Sequence, residues 1–206
     1  MRKKFLLILL FIAFVGLSAA RSPYHHVKSV YDGDTILIDT NEKVRYLGID
    51  APEMGYQGGS NEFMALSSKS LNSSLVGQNR VRLEFDREKR DQYGRLLAYV
   101  FLEQGDMVNG LLVKQGLAHV MVKGPGLKYF DLLLQYQRQA ITQGLGIWQK
   151  GPASPERHYP GSRISYRFHR PGCRFAGRIH SKNMVRFKDC RTAFWAGFSP
   201  CSKCRP

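Results

Sequence analysis

The chain has 206 residues, with 31 Lys/Arg against 16 Asp/Glu, a formal net charge of +15 and 43% hydrophobic residues. One apolar run near the start and none of spanning length after it exclude a polytopic membrane protein. The absence of repeats and low-complexity tracts excludes a solenoid or a spacer. All four cysteines (Cys173, Cys190, Cys201, Cys204) fall in the last 34 residues, so everything before them relies on an ordinary core, for which its length suffices.

The charge is uneven. Residues 21–150 carry 16 basic and 14 acidic side chains, whereas residues 151–206 carry 12 basic and 2 acidic ones. The long first part is near neutral, and the tail holds the positive field. Such a field attracts nucleic acid, anionic lipid or an acidic polymer.

In chain order, Met1-Arg2-Lys3-Lys4, the apolar run Phe5–Leu17 and the small residues Ser18-Ala19-Ala20 read as a signal peptide over residues 1–20, cleaved after Ala20. The run is shorter than the roughly 20 residues that cross a bilayer, so the mature protein is expected to be secreted or periplasmic, with no membrane anchor after cleavage. Residues 26–50 read as three strands. Val27, Val30 and Tyr31 precede an Asp-Gly turn, Thr35–Ile38 follow it, and Val44, Tyr46, Leu47 and Ile49 form the third. A helix is predicted from a Ser60 cap to about Leu75, with Phe63, Leu66, Leu71 and Leu75 inward. Strands follow over Val81–Phe85 and Leu96–Leu102. A short helix capped by Asp106 spans Val108–Gln115, and a last helix spans Lys128–Gln143 with Leu132, Leu133, Tyr136 and Ala140 inward. Five strands and about three helices in this order predict an α+β unit over 21–150, a five-stranded Greek-key barrel of OB type. Gly151-Pro152-Ala153-Ser154-Pro155 and Pro160-Gly161 mark a linker, taken as 151–163.

The chemistry concentrates in Asp32-Gly33-Asp34-Thr35, Arg45 and Asp50-Ala51-Pro52-Glu53, followed by Asp91-Gln92-Tyr93-Gly94-Arg95 on a tight turn. Carboxylates at strand ends beside a fixed guanidinium suit a hard cation and a phosphate sharing one site. These fragments, in this order and spacing, together with Val108–Ala118, closely resemble the staphylococcal nuclease (thermonuclease) family over about residues 26–149. The resemblance implies an OB-fold barrel, calcium dependence and hydrolysis of DNA and RNA as substrates; it implies no particular stable protein partner. It also implies roles. Asp34 and Asp50 would ligate calcium, with Ala51 adding its backbone carbonyl. Glu53 would act as general base toward water, Arg45 and Arg95 would clamp the phosphate, and Tyr93 would pack beside a nucleotide. Ala51 replaces a threonine frequent in the family, and Gln92 replaces a lysine, which weakens one expected phosphate contact. Taken singly, Asp32, Asp34 and Asp39 also suit turns, Arg45 could pair with Glu42, and Arg95 could pair with Asp91. A catalytically inactive nucleic-acid-binding member of the family is the alternative; it would be expected to have lost one of these groups.

In the tail, His169-x3-Cys173 and Cys201-x2-Cys204 supply four soft or borderline ligands suited to tetrahedral zinc. The stretch 164–206 resembles the small metal-binding module of Ada-like proteins, with a strand at Lys182–Phe187 and a short helix at Cys190–Ala196. Two disulfides, Cys201–Cys204 and Cys173–Cys190, are the competing reading. His169 in a ligand position favours zinc and leaves Cys190 as a buried thiol. The tail's aromatic residues suit a small core better than a stacking platform, and His119 suits packing better than catalysis.

Overall fold

A computed structural model describes residues 23–55, 57, 59–122, 124–150 and 155–206. The expected signal peptide and the first residues of the expected linker lie outside these. Strands β1 (Tyr24–Val30), β2 (Thr35–Ile38) and β3 (Lys43–Tyr46) form an antiparallel meander, and the short β4 (Ile49–Asp50) follows. After α1 (Ala65–Val76) come β5 (Arg80–Arg90), β6 (Leu96–Leu102), α2 (Val108–Lys114), β7 (His119–Val120) and α3 (Phe130–Gln143). The sheet order β1-β2-β3-β6-β5 closes on itself, because Tyr24 of β1 pairs with Arg82 of β5 while β3 and β6 run parallel. This mixed closed barrel with helices is consistent with the α+β fold of OB type expected from the sequence.

Alternation along the strands fills the barrel. Ile36, Ile38, Val44, Tyr46, Val81, Leu83, Ala98 and Val100 are buried, and α2 and α3 close it with Val108, Leu112, Val113 and Leu133. The third expected strand is broken in two at Leu47-Gly48. Gly48 takes φ +82°, a left-handed conformation costly for residues with a Cβ, and its hypothetical Cβ would lie 2.9 Å from Leu133 Cδ1. The break turns β4 away to pair with β7, which sets Asp50 opposite His119.

The helices differ from expectation in their faces. α1 starts at Ala65 rather than near Ser60, and no side chain caps it. Its buried face is Ala65, Ser68, Asn72 and Val76, while Phe63 and Leu66 are exposed. Polar residues take the inward positions because the neighbouring loops present backbone groups that need partners. α2 likewise lacks a side-chain cap, Met107 rather than Asp106 standing at its N-cap. In α3 the buried set is Leu133, Leu134, Gln137, Ala140 and Ile141. Gln137 is inward because it accepts from Val120 N at 2.6 Å and donates to Phe194 O at 2.5 Å, satisfying two buried backbone groups at once.

The tail forms a four-stranded sheet, β10-β8-β9-β11, from β8 (Tyr159–Ser162), β9 (Arg167–Phe168), β10 (Met184–Phe187) and β11 (Ser199–Pro200), with α4 (Cys190–Trp195) across it. The stretch Tyr159–Ser162, assigned above to the linker, is therefore a central strand of the tail unit. Pro160-Gly161 misled as a loop signal: Gly161 is required because a Cβ there would lie 2.7 Å from the Phe187 ring. The tail core is aromatic. Phe168 meets Phe194 at 5.2 Å, and Phe187 meets Phe198 at 4.8 Å between centroids. The same core continues into the barrel unit through Ala140, Ile141 and Trp148, with Trp148 edge-on to Phe194 at 5.0 Å. No helix among the described residues is long and apolar enough to cross a membrane.

Candidate active site

The turn between β1 and β2 is closed by Tyr31 N donating to Thr35 O at 2.9 Å, and Asp34 N donates to Asp32 Oδ1 at 2.9 Å. Gly33 sits against α1 and β4, where a Cβ would fall 1.8 Å from Ser68 Oγ and 2.6 Å from Ala51 Cβ. Only glycine lets this turn press into the barrel end and carry Asp34 inward.

Asp34 is almost fully buried. Its Oδ2 accepts from Ala51 N at 2.6 Å and lies 3.1 Å from Arg45 Nη1. Arg45, on β3, donates through Nη1 to the carbonyls of Tyr46 (2.9 Å) and Ile49 (2.8 Å) and through Nη2 to Asp50 Oδ1 (2.5 Å). One guanidinium therefore fixes the strand break, the end of β4 and two carboxylates. Nη1 has spent both protons on carbonyls; Nε–H and one Nη2 proton have no such commitment. Glu42 pairs instead with Arg90, at 2.9 Å to both terminal nitrogens, so the alternative Arg45–Glu42 pairing does not form.

The field here is acidic. Burial, above all, pushes the Asp34 carboxyl up to about 8; Arg45 pulls it down, and Asp32 and Asp50 push it further up. Glu53 is also raised, first by desolvation and then by Asp32 and Asp50, although the residue is exposed. Its loop is pinned at both ends. Glu53 N donates to Glu62 Oε2 and Glu62 N to Glu53 O, each at 3.0 Å, and Gly55 N donates to Asn61 Oδ1 at 2.8 Å. Four carboxylates around one guanidinium leave negative charge uncompensated, and their hard oxygens fit a hard divalent cation.

Asp34, Arg45 and Asp50 are thus brought into contact, Ala51 joins them through its amide, and Glu53 lies within their field. Arg95 and Tyr93 are held separately on the β5–β6 turn. Arg95 Nε donates to Asp91 Oδ2 at 2.8 Å, and its guanidinium stands over the Tyr93 ring at 5.6 Å. Among the described residues no recorded hydrogen bond ties Arg95 to the carboxylate cluster. The strands behind the two arginines are neighbours: Arg45 is paired with Leu97, and Arg95 stands immediately before β6. Arg95 is half-buried beside Tyr93, itself 75% exposed.

The sequence reading placed two residues of this neighbourhood nowhere near the site. His119, opposite Asp50, lies 3.7 Å from Asp50 Oδ2 through Nε2 and edge-on to Phe194 at 5.2 Å; desolvation lowers its pKa, so it is neutral near pH 7. It is packed, as its apolar context suggested, but packed between the carboxylate cluster and the tail. Asn72 accepts from Tyr46 Oη at 2.8 Å and donates to Asp32 O at 3.0 Å, tying α1 to the acidic turn. Asn72→Ala is expected to lower stability by about 2–3 kcal/mol, since it opens a small cavity and strands a buried phenol and carbonyl. Urea unfolding measures this; an unchanged midpoint would show that the two bonds carry no net weight.

At the far end of the tail, one ligand atom each of His169, Cys173, Cys201 and Cys204 lies within 4.8 Å of the others. A tetrahedral zinc with bonds of about 2.0–2.3 Å needs ligand–ligand edges of about 3.3–3.8 Å. The Cys173 Sγ to His169 Nδ1 separation, 3.5 Å, is already one such edge. None of the four cysteines is in a disulfide. Burial pushes the Cys204 thiol up to about 11, with Cys173 and Cys201 adding to it. Desolvation also acts to raise Cys173, but hydrogen bonds from the backbone N–H groups of Phe175 and Ala176 and with Cys204 and Cys201 together outweigh it and lower that thiol. Crowded sulfurs beside a buried imidazole fit a soft cation.

A small closed barrel carrying a polar cluster of carboxylates and arginine at one end defines a class of site suited to a phosphate and a cation. Residues 43–150 match the family described as Staphylococcal nuclease homologue, and the chain belongs to that family. It is 39% identical to a thermonuclease of Staphylococcus intermedius over 133 residues, 63% of this chain and 79% of that protein. It is 35% identical to a thermonuclease of Staphylococcus hyicus over 136 residues, 65% of this chain and 80% of the other. Against the SPbeta prophage-derived endonuclease YokF of Bacillus subtilis it is 38% identical over 135 residues, 63% of this chain but only 45% of that longer protein.

Proposed function

We propose that the protein is an exported, calcium-dependent endonuclease that hydrolyses phosphodiester bonds of DNA and RNA with little base specificity and leaves 3′-phosphate ends. The observation that carries this reading is Arg45, buried and clasped by Asp34 and Asp50, with Glu53 in the same field. Family membership and the thermonuclease and endonuclease names of its relatives support it.

Asp34, Asp50 and the Ala51 carbonyl would hold the calcium ion, which when bound polarises a phosphoryl oxygen and helps orient water. The chain's own groups do the rest. Glu53 takes the proton of the attacking water, and its raised pKa makes it a stronger base than an ordinary glutamate. Arg45, through Nη2 and Nε, and Arg95, through its two terminal nitrogens, meet the charge that grows on the phosphate oxygens. Because Asp91 holds Arg95 by Nε, that fork is pre-aimed. Tyr93 offers an exposed ring to a nucleotide. Contacts of this kind position the backbone and do not read bases. The His169, Cys173, Cys201 and Cys204 set would bind zinc as the structural centre of an Ada-like tail module, whose boundary falls at or before Tyr159.

With purified protein, Glu53→Ala is expected to lower cleavage of single-stranded DNA, duplex DNA and RNA by about 10²–10⁴-fold, with calcium-dependent cleavage by the parent chain. Undiminished calcium-dependent cleavage by the variant would refute the assigned base. A parent chain that binds but never cleaves would favour an inactive binding module.

A further inference from the structure

The tail carries its own cleft. It has a volume of about 640 Å³ and lies between the β8–β9 hairpin and the metal-ligand loops. Arg167, Arg178 and Lys203 line it with His180, Asn183 and Ser165, and no acidic residue is among its described lining. Arg178 and Lys203 are exposed. His169 and Cys201 of the metal-ligand set also line the cleft, but three cations with no carboxylate among them favour an anion, and its size lies in the range of pockets that take small ligands, about 300–1,000 Å³.

Arg167 is what connects this cleft to the barrel. It is two residues before His169, on β9, and the metal-ligand loop carrying Cys201 begins as β11 ends. The two strands pair in parallel, and Arg167 Nη1 donates to Ser199 Oγ at 2.8 Å and to Pro200 O at 3.3 Å. The guanidinium is held by its own sheet rather than by a carboxylate. It still lies close enough to Asp50 and Arg45 to feel both their charges, and to His119, which touches Asp50 on one side and Phe194 of α4 on the other. Hydrogen bonds dock the tail on α3: Gln137 bridges Val120 N to Phe194 O, Arg138 Nε donates to Trp195 O at 3.0 Å, and Arg191 Nη2 donates to Ile141 O at 2.5 Å.

We infer that this tail cleft is a subsite for single-stranded nucleic acid, in which Arg167, Arg178 and Lys203 bind backbone phosphates of the same strand whose scissile phosphate lies at the Arg45 cluster. The inference rests on the nuclease reading and extends it: the basic tail is part of the substrate path, with Arg167 at the junction, and not merely a solubilising surface. The family match ends at residue 150, so it does not supply this cleft.

The test uses the full chain carrying Glu53→Ala, with calcium present, so that substrate is bound and not consumed. Fluorescence anisotropy of a labelled single strand of about 12 nucleotides is followed between about 50 and 200 mM salt. Adding Arg178→Ala and Lys203→Ala is expected to weaken binding about tenfold or more and to reduce the log–log salt slope by about 1.4, at about 0.7 for each lost phosphate contact. Arg167→Gln is expected to weaken binding and to raise KM for the same strand in the otherwise unsubstituted chain. Circular dichroism and zinc content verify that the variants are folded; if the double variant fails to fold, the exposed single change Arg178→Glu carries the same test. Unchanged affinity and slope would overturn the subsite. Loss of calcium-dependent cleavage in the unsubstituted chain would instead overturn the nuclease reading, so the two failures are distinguishable.

Discussion

Arg45→Lys is expected to reduce turnover by about 10²–10³-fold and to cost several kcal/mol of stability. The lysine keeps the charge and loses the fork. In the structure one planar group serves Tyr46 O, Ile49 O, Asp50 Oδ1 and Asp34 Oδ2. An ammonium has three protons at a single point, so it cannot reach both carbonyls and both carboxylates. At least one buried acceptor is then left unsatisfied, and leaving a buried charge uncompensated typically costs about 3–5 kcal/mol. The loss of rate has a separate origin: no Nη2 remains to face the phosphate. Steady-state kinetics and urea unfolding of the same variant separate the two effects. Turnover within a few-fold of the parent chain would show that Arg45 is only an architectural clasp.

That division between clasp and chemistry also marks how far the sequence could be read. The strands were legible because alternation is local: Ile36, Ile38, Val81 and Leu83 announce one buried face each. The acidic turn, Arg45 and the Asp50–Glu53 loop were legible because reactive groups are rare in such density and their order is specific. What failed was anything decided by a partner far along the chain. The Phe63–Leu66 stripe looked inward by hydropathy, yet α1 turns Ser68 and Asn72 to the barrel, where Leu117 O and Asp32 O need donors. Gln137 is buried for the same reason. His119 could not be placed at the site until β4 broke away from β3, and that break depends on one left-handed glycine. Pro160-Gly161 signals a loop by composition and is a strand because Phe187 must pass close to it.

The tail illustrates the same limit on a larger scale. Nothing in its periodicity shows that its aromatic core fuses with Trp148, Ala140 and Ile141 of the preceding unit. Once that contact exists, the carboxylate cluster is walled on one side by His119 and Phe194, and events in the tail reach Asp50 through two ring contacts.

Removing metal from the His169, Cys173, Cys201 and Cys204 set is therefore expected to have the second-largest effect on this protein. The tail sheet is built from strands of two to four residues, and its 3-10 turns and short α4 contribute little cooperativity of their own. Zinc binding is worth about 10–16 kcal/mol in small zinc modules, more than such a core supplies, so the stripped tail should unfold. Native mass spectrometry should find one zinc per chain, and Cys201→Ser or a strong chelator should abolish it. Unfolding would pull Phe194 away from Trp148 and expose that indole, so tryptophan emission should shift to the red in step with metal loss. The barrel has its own core and should retain its circular dichroism. Cleavage should fall even when calcium is restored, because His119 loses its cover and Arg167 leaves the neighbourhood of Asp50. A chain that loses four hydrogens of mass and carries no zinc would replace the metal with two disulfides. A zinc-free, reduced tail with unchanged emission would show that the aromatic core alone holds it.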